Sequence, residues 1–448
     1  MRPSKQLLII LSVWLGLASV IAVGAIFEPV VSELTSLITY AKLVWLWSGV
    51  FLAVIAFIDM FTLISIHGLE ITREVPKNIA VGSQTKVTLT LRNKLPHTRK
   101  VFVTDHYPKH SEAKRLPQTI ELKNSQNAET HYTITINQRG DATFGNIRSL
   151  INSRLKLWQR IKLFRQLDTV KVYPNFAAIH HYLLLSADQQ TSQMGIRLSQ
   201  RRGDGLEFHQ LREYRIGDSL RQIDWRASSR LNKLISKEYQ EEKDQNIVFL
   251  LDCGRRMRTK DDALSHFDHS LNASLLLSYI GLKQGDAVGL QSFGGFNRWL
   301  LPQKGTYFIN QLLNQVYDIH PTLHASDYVE AATELNKRIR KRSLVVLVTN
   351  CRDDDWPELK PAIRLLNQHH LVLLANLREQ SLDKAIEENV VDFNSALKYA
   401  ESTHFLHARQ KTMNQCANEG VLAIDTTPEK LATDLVNQYF KIKRSGKL

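Results

Sequence analysis

The chain has 448 residues, of which 43% are apolar, and a net charge of +14. The apolar content excludes an intrinsically disordered chain, and the length suits two or three domains of about 150 residues each. Most of the charge lies in one segment, since residues 73–175 hold 19 basic and 7 acidic side chains. The three cysteines are odd in number and far apart, which excludes a disulfide framework and fits a reducing compartment.

Two apolar runs, residues 7–27 and 44–66, are each long enough to cross about 30 Å of hydrocarbon as a helix. Basic residues flank the outer ends of the pair and the loop between them is net acidic, so we predict a transmembrane hairpin (residues 1–67) with both ends cytoplasmic. This predicts a multi-pass membrane protein with a large cytoplasmic C-terminal part. The alternative is a cleaved signal peptide, but the first run is longer than the usual apolar region of one.

Asp59 is the one charged residue within these two runs. A carboxylate inside a membrane span is a candidate functional group. Because Asp59 lies near the cytoplasmic end, we expect instead that it holds the hairpin together through Ser12 or the Trp14 indole of the other helix.

Residues 68–175 alternate polar and β-branched residues between turn signals. Strands are predicted at 86–93, 100–107, 118–124, 130–138 and 169–175, which indicates a small β-sandwich. Residues 148–168 suit either a long strand with a basic face or a basic amphipathic stretch on the membrane. Their cations either meet anionic lipid headgroups or form a solvated face; these are Arg154, Lys156, Arg160, Lys162 and Arg165.

Residues 176–245 form a connecting strap that contains GDGLEFHQLREYRIGDSLRQIDWRASSRLNKLISKEYQEE at 203–242. Asp218 is a predicted helix N-cap. The dense mixture of acidic and basic residues predicts a network of ion pairs, a structural latch between the strap and the domain after it. The predicted latch residues are Glu207, Arg212, Asp218, Arg221, Asp224 and Trp225. The alternative, Glu207 or Asp224 as a catalytic acid or base, has no nucleophile or metal set nearby.

Residues 246–448 alternate continuous apolar runs with helical patterns. The runs at 247–252, 286–293, 343–350, 371–377 and 420–425 are typical of buried parallel strands, and helices are predicted near 264–284, 305–317, 326–341, 356–368, 395–418 and 428–443. This pattern predicts a doubly wound α/β domain, whose ligand site should lie at the carboxyl ends of the central strands.

The motif at 203–242, followed by a strand ending in Asp252, resembles the family called domain of unknown function fifty-eight. The resemblance covers nearly the whole chain. It implies two membrane helices, a β-rich segment and a C-terminal von Willebrand factor A-like domain. It also implies a membrane-anchored adaptor in the plasma (inner) membrane of a bacterium, which acts with a MoxR-type AAA+ ATPase in the assembly or maturation of client proteins.

In von Willebrand factor A domains, the strand-end site is a metal-ion-dependent adhesion site built on an Asp-x-Ser-x-Ser turn. Here the two serine positions hold Gly254 and Arg256, and Asn350 replaces a later aspartate. Thr322 or Ser326 remains as a hydroxyl ligand. With so few hard oxygen ligands, we expect no cofactor; any divalent cation would rest on Asp252 and Ser326.

We expect this degenerate site to bind a partner protein through Asp252 and the residues around it. Arg256 replaces the positive charge of the metal in this hypothesis: it pairs with Asp252 and remains able to receive a carboxylate of the partner. In the alternative, Arg256 points into solvent. The predicted partner-binding residues are Asp252, Gly254, Arg256, Thr322, Ser326 and Asn350.

Two other functions are open on the sequence. A metal-dependent or thiol-based enzyme could use Cys253 and Cys351, which follow neighbouring predicted strands, but the chain has no P-loop, HExxH or GxSxG motif. Nucleic-acid binding is not expected, because no standard nucleic-acid-binding pattern is present. We therefore expect a non-enzymatic adaptor whose partners are the ATPase, unknown clients and anionic lipids.

Overall fold

The computed structural model describes residues 1–26, 34–64, 68–93, 99–122, 127–174, 207–215, 218, 220–240, 245–261 and 264–446. Residues 28–33 of the predicted loop between the apolar helices, which include both of its glutamates, and the strap before Glu207 lie outside these residues. The chain divides into two compact units, Met1–Val172 and Tyr173–Leu448.

The first unit begins with two helices that are long and apolar enough to cross a membrane: α1 (Lys5–Ile26) and α2 (Leu34–Ile64). Trp14 of α1 and Trp45 of α2 stack with ring centroids 4.2 Å apart. The Trp14 indole donates to the Ser48 hydroxyl at 3.2 Å, and the Trp45 indole donates to the Trp14 carbonyl at 3.1 Å. Tryptophan, rather than Asp59, therefore joins the two helices.

Short strands make up the rest of this unit. They are β1 (Arg2–Pro3), β2 (Leu69–Glu74), β3 (Asn78–Ala80), β4 (Gln84–Asn93), β5 (Arg99–Asp105), β6 (Ser111–Lys114), β7 (Gln118–Leu122), β8 (Asn127–Ile136), β9 (Gly140–Phe144), β10 (Ile147–Asn152), β11 (Trp158–Phe164) and β12 (Asp168–Tyr173). They form sheets in the orders β1-β11-β10-β5-β7, β2-β4-β8-β6 and β3-β12-β9. The first two sheets are antiparallel throughout, and β12 pairs with β9 in antiparallel fashion. Alternate residues, such as Val87, Leu89 and Leu91 of β4, enclose one apolar core.

The basic stretch at 148–168 is a β-hairpin, β10 and β11, and its turn contacts α2. Asp59 of α2 is 1% exposed and accepts hydrogen bonds from the Ser153 hydroxyl at 2.5 Å and the Leu155 N–H at 3.0 Å. The prediction that Asp59 bonds to Ser12 or Trp14 is therefore wrong. Those two groups have partners within the helices, and the carboxylate satisfies the turn of the hairpin instead.

Two cations of this hairpin bind the chain at and after the end of α2. Arg160 donates to the Leu63 carbonyl at 2.9 Å, and Lys162 donates to the Leu69 carbonyl at 2.7 Å. The first of these bonds satisfies a carbonyl that the end of α2 leaves unpaired. Arg154, Lys156 and Arg165 are exposed, so they are the members of the basic set that remain open to an external anion.

The second unit contains the strap hairpin and the α/β region. Its strands are β13 (Glu207–Glu213), β14 (Ile235–Gln240), β15 (Asn246–Asp252), β16 (Lys260–Asp261), β17 (Leu264–Ser265), β18 (Ala287–Phe293), β19 (Trp299–Gln303), β20 (Leu344–Thr349), β21 (Leu371–Leu377) and β22 (Leu422–Thr426). Its helices are α3 (Trp225–Leu231), α4 (His266–Lys283), α5 (Phe308–Val316), α6 (Tyr328–Arg338), α7 (Trp356–Asn367), α8 (Gln380–Glu387), α9 (Phe393–Asn418) and α10 (Leu431–Ser445).

The main sheet has the order β19-β18-β15-β20-β21-β22. All neighbours in it pair in parallel except β18 and β19. One apolar core includes residues of α4, α5 and α10, and another on the opposite face includes residues of α6, α7 and α9. The predicted α/β architecture is therefore present, with an antiparallel edge strand and the helix α8 that the sequence analysis missed.

The strap residues 207–240 fold into a hairpin of β13 and β14 with α3 between them. Arg212 forms a two-bond ion pair with Asp218 at 2.8 and 2.9 Å, and Lys237 pairs with Asp224 at 3.5 Å. These pairs stabilise the strap itself, while the connection to the following domain stays a prediction. Arg221 and Trp225 are exposed, and the side chain of Glu207 lies outside the described part of the chain.

Asp218 was predicted to cap a helix, and this prediction is wrong. Its carboxylate accepts from Arg212 and from the Arg215 N–H at 2.9 Å. The N-cap is Asp224, whose side chain accepts from the backbone N–H groups of Arg226 and Ala227 at 3.0 Å. Asp218 is thus engaged by the guanidinium of Arg212, and Asp224 caps the helix instead.

Candidate functional site at the carboxyl edge of the sheet

Asp252 ends the central strand β15 and is 1% exposed. One carboxylate oxygen, Oδ1, accepts from the Ser326 hydroxyl at 2.5 Å and from the Gly254 N–H at 2.7 Å. The other oxygen, Oδ2, accepts from the Thr349 hydroxyl at 2.6 Å. The buried charge is therefore satisfied by three neutral donors that come from three segments of the chain.

Thr349 was missed by the sequence analysis, although the register of the strands accounts for its position. Leu251 of β15 pairs with Val348 of β20 in parallel, so the next residues, Asp252 and Thr349, point to the same face. The Thr349 hydroxyl also lies 3.0 Å from the Tyr328 hydroxyl. Because Thr349 donates its proton to Asp252, Tyr328 is the donor in this second bond.

Asn350 was predicted to join Asp252, and the structure contradicts this. Its side chain donates to the Glu379 carboxylate at 3.1 Å and accepts from Arg409 at 3.3 Å. The cause is the alternation of a strand, because the residue after Thr349 points to the opposite face of the sheet. Asn350 therefore belongs to a separate buried polar cluster.

Gly254 and Ser326 fit each other closely. A Cβ atom at position 254 would overlap the Ser326 hydroxyl oxygen and lie 3.0 Å from Asp252 Oδ1. The space for a side chain in this turn is thus already filled by Ser326. Glycine is needed at position 254 for room, since its φ of −73° suits any residue.

Thr322 supports the loop that carries Ser326, and its hydroxyl bonds to a backbone carbonyl and not to Asp252. Its hydroxyl donates to the Gly294 carbonyl at 2.6 Å, and its N–H donates to the Cys253 carbonyl at 2.7 Å. Of the two hydroxyls considered from the sequence, Ser326 is therefore the one bound to Asp252.

Arg256 forms an ion pair with Asp355. Asp355 is the residue just before α7. The predicted direct pair with Asp252 is replaced, since Ser326, Gly254 and Thr349 already engage that carboxylate. The side chains of Arg256 and Asp355 are 21% and 19% exposed. This ion pair is the charged feature of the site that reaches the surface.

Burial dominates the electrostatics of the site. It raises the pKa of Asp252 above its usual value, while Ser326, Thr349 and the charge of Arg256 oppose that rise. Burial together with Asp252 raises the pKa of Tyr328 well above 10. The tyrosine therefore stays protonated and continues to donate.

The two cysteines considered as a rim pair do not meet there. Cys253 packs in the core on one face of the sheet and Cys351 packs in the core on the other face, and both are fully buried. Burial raises the pKa of the Cys351 thiol to about 12. Neither position gives an exposed thiolate.

The donor set around Asp252 does not suit a divalent cation. It offers one carboxylate, whose oxygens already accept three hydrogen bonds, and a guanidinium lies close enough to affect its pKa. Magnesium needs six oxygen ligands in an octahedron. Within the residues that the structure describes, no group of three or more His, Cys, Asp or Glu side chains is arranged to hold a metal ion.

Comparison with known proteins gives a family for part of the chain. Residues 210–421, which contain every residue of this site, match the family described as "Protein of unknown function DUF58". The chain is also 25% identical over 364 residues to the uncharacterized protein YeaD of Bacillus subtilis (strain 168). That match covers 78% of this chain and 85% of YeaD.

Two of the matching solved structures resemble about a quarter of the chain. One is an alpha-2-macroglobulin from Escherichia coli, with 17% identity, a TM-score of 0.20 and coverage of 24% of this chain and 16% of that one. The other is a CARDB domain from Pyrococcus furiosus, with 15% identity, a TM-score of 0.17 and coverage of 23% and 91%. Scores this low do not establish a common fold.

Proposed function

We propose, from the premise that the chain carries a DUF58 domain over residues 210–421, that it is a membrane-anchored adaptor whose α/β region binds a partner protein at the carboxyl edge of its sheet. The partners are a MoxR-type AAA+ ATPase and the client proteins on which it acts. This role requires an anchor, a binding edge and no reaction at that edge.

The observation that carries this proposal is the ion pair between Arg256 and Asp355 over the buried Asp252. The polar groups beneath the pair satisfy one another, so the edge presents no free nucleophile, acid or base among them. A guanidinium binds carboxylates through two parallel hydrogen bonds. A carboxylate of the partner can therefore take the place of Asp355 on Arg256.

We further propose that the α/β region is a von Willebrand factor A-like domain. Three features support this: the first strand of the region, β15, is central, the edge strand β19 is antiparallel, and the turn after β15 begins with an aspartate. In this proposal the site works without a metal, and Ser326 and Thr349 hold Asp252 directly.

The two apolar helices support membrane anchoring. Basic residues lie at both outer ends of the pair, which favours an orientation with the β region and the α/β region in the cytoplasm. Arg154, Leu155 and Lys156 form an exposed tip where the β10–β11 hairpin contacts α2. We propose that this tip meets anionic lipid headgroups at the cytoplasmic leaflet.

A thiol enzyme at the rim is the weaker candidate. Cys351 and Cys416 have pKa values near 12 because they are buried, so they are almost entirely protonated at neutral pH. A thiol nucleophile needs an environment that lowers its pKa, so that the reactive thiolate is present at neutral pH.

Retention of the partner tests the adaptor. The full chain is purified from its native membrane after gentle solubilisation, and the retained proteins are compared for the natural chain, Arg256→Ala and Arg255→Ala. Arg255 is the matched control, because it is an exposed arginine of the same short helix. We expect the ATPase to be retained by the natural chain and by Arg255→Ala and lost from Arg256→Ala; equal retention by both variants would exclude the Arg256 site.

Labelling of single cysteines tests the orientation. In a chain without its natural cysteines, Ser229→Cys on α3 is an exposed probe. A membrane-impermeant maleimide should label it in broken cells and not in intact spheroplasts. Labelling in intact spheroplasts would place this part of the chain outside.

A further inference from the structure

A pocket of about 130 Å³ opens beside the Asp252 site, between the end of β18 and the helix α6. Three acidic side chains of the α6 region line it: Asp327, Glu330 and Glu334. Asp327 is the N-cap of α6, and the two glutamates follow on successive turns of the helix. The lining is therefore strongly negative on one side.

A buried and unpaired acceptor completes the pocket. Gln291 of β18 lines it and is 2% exposed. Its amide nitrogen donates to the Ala331 carbonyl at 3.3 Å, and its amide oxygen is buried without a hydrogen-bond partner in the described part of the chain. A buried acceptor without a partner has lost its hydrogen bonds to water, so a donor from outside would be bound favourably.

The rest of the lining fits an aliphatic stem. Phe293 and Ala331 are buried apolar residues beside the acceptor. Lysine and arginine carry a long apolar stem below a charged end, and they bury the stem along apolar surface. The pocket combines an apolar wall, a neutral acceptor and carboxylates at the opening, which is the complement of such a side chain.

An inorganic cation fits less well. Calcium and magnesium require several oxygen ligands that converge on one point. The acidic residues here are not arranged as a metal-binding group. One oxygen of Asp327 also caps the Glu330 N–H at 2.8 Å, and Glu334 has an ion pair with Arg338 at 3.5 Å on its own helix.

We infer that this pocket receives a lysine or arginine side chain of the partner protein. The inference rests on the proposed function in one respect, that the ligand belongs to a protein. Its ammonium or guanidinium group donates to the Gln291 oxygen and to the carboxylates of Glu330 and Glu334. The partner thereby presents a basic residue next to the carboxylate that Arg256 binds.

A peptide pair tests the inference directly. The probe is Gly-Gly-Lys-Gly-Gly with a neutral fluorophore, and its matched control has norleucine in place of lysine, which keeps the stem and removes the charge. Each peptide is titrated with the solubilised full chain and followed by fluorescence anisotropy. We expect saturable binding of the lysine peptide and at least about tenfold weaker binding of the norleucine peptide.

Protein variants assign the binding to the pocket. Glu330→Gln with Glu334→Gln should weaken the lysine peptide about tenfold, because charge-assisted bonds become neutral ones. Glu358→Gln is the matched control, since this exposed glutamate of α7 is not part of the pocket lining. Equal binding of the two peptides, unchanged binding by the double variant, absence of saturable binding, or displacement of the peptide by millimolar magnesium would each overturn the inference.

The test is independent of partner retention. Loss of the ATPase from Arg256→Ala concerns a different side chain, and peptide binding by that variant should be unchanged. If the peptide failed to bind while the ATPase was still retained, the inference about the pocket would be contradicted and the adaptor proposal would not.

Discussion

The Asp59 carboxylate of α2 accepts a 2.5 Å hydrogen bond from the Ser153 hydroxyl in the β10–β11 turn. The N–H groups of Leu155 and Leu157 donate to the same carboxylate at 3.0 and 3.3 Å. A charge within an apolar helix thus satisfies three donors of a β-hairpin. The second apolar helix and the basic hairpin are consequently held together by polar bonds as well as by apolar packing.

Replacing this carboxylate should open the turn. Asp59→Ala leaves three hydrogen-bond donors of the turn unpaired, which costs about 1–3 kcal/mol of stability for each donor. Each loss of about 1.4 kcal/mol raises the population in which the turn is locally unfolded about tenfold. We expect trypsin to cut after Arg154 or Lys156 at least about ten times faster in the solubilised variant than in the natural chain. Ser12→Ala is the control, because the Ser12 hydroxyl donates to the Ile9 carbonyl of its own helix. Equal cleavage of Asp59→Ala and the natural chain would contradict the role given to this contact.

Thr349 should matter more to stability than a typical threonine. Thr349→Val keeps the shape and removes the hydroxyl, which leaves Asp252 and Tyr328 each short of a partner. We expect a loss of about 2 kcal/mol in the free energy of unfolding, measured with urea on the solubilised chain. Thr333→Val should cost much less, because the Thr333 hydroxyl donates to a carbonyl of its own helix. Similar losses for both variants would show that the Asp252 network adds little.

The close fit of Gly254 and Ser326 predicts a coupled pair of substitutions. Gly254→Ala should destabilise the chain by about 1–3 kcal/mol, since the added methyl group overlaps the Ser326 hydroxyl. Adding Ser326→Gly removes the overlap and should make the cost of Gly254→Ala much smaller. A double-mutant cycle of unfolding free energies measures this coupling. Strict additivity of the two changes would contradict the packing described here.

The thiols should be unreactive in the folded chain. All three cysteines are buried, and burial raises the pKa values of Cys351 and Cys416 to about 12. We expect Ellman's reagent at pH 8 to react with none of them before denaturation and with all three afterwards. Rapid reaction of one native thiol would instead support the thiol-enzyme alternative.

His370 should make the α/β region sensitive to acid. Burial and the neighbouring His369 lower the pKa of this imidazole, and both of its ring nitrogens lack a hydrogen-bond partner within the described residues. The folded state therefore holds the neutral form, whereas the unfolded chain takes up a proton below about pH 6.5. Stability from this group is present above that pH and is lost as the pH falls through 6.5 toward the lowered pKa.

The matched measurement compares His370→Leu with the natural chain at pH 7.5 and pH 5.5. The natural chain should lose up to about 1.4 kcal/mol more than the variant over this interval. His404→Leu is the control, because His404 is an exposed histidine of α9. An identical pH dependence of the natural chain and His370→Leu would contradict the prediction.

The sequence predicted most of the elements because their hydrophobic periods are clear. The parallel strands β15, β18, β20, β21 and β22 are continuous apolar runs, and each was expected within about two residues of its bounds. The edge strand β19 was missed because it is short and contains Pro302. Helix α8 was missed because it has only 8 residues, too few to establish a helical period in the sequence.

The site was predicted in part, and the failures have a common cause. The end of β15 located Asp252, but the choice between Thr349 and Asn350 depends on the register of β15 with β20, which the apolar runs do not specify. The partner of Arg256 could not be found either, because Asp355 is distant in sequence and lies after another strand. The contact of Asp59 with Ser153 likewise joins residues 94 positions apart.

The docking of Asp59 also has a consequence for bilayer thickness. From Leu34 to Asp59 the helix α2 rises about 38 Å, which exceeds the roughly 30 Å hydrocarbon layer of a typical membrane. In a spanning hairpin, the bonds to Ser153, Leu155 and Leu157 fix the point at which α2 leaves the bilayer, so the helix cannot slide to suit a thinner one. The pair of apolar helices must then accommodate hydrophobic mismatch by tilting, and the attached β sheets would tilt with them.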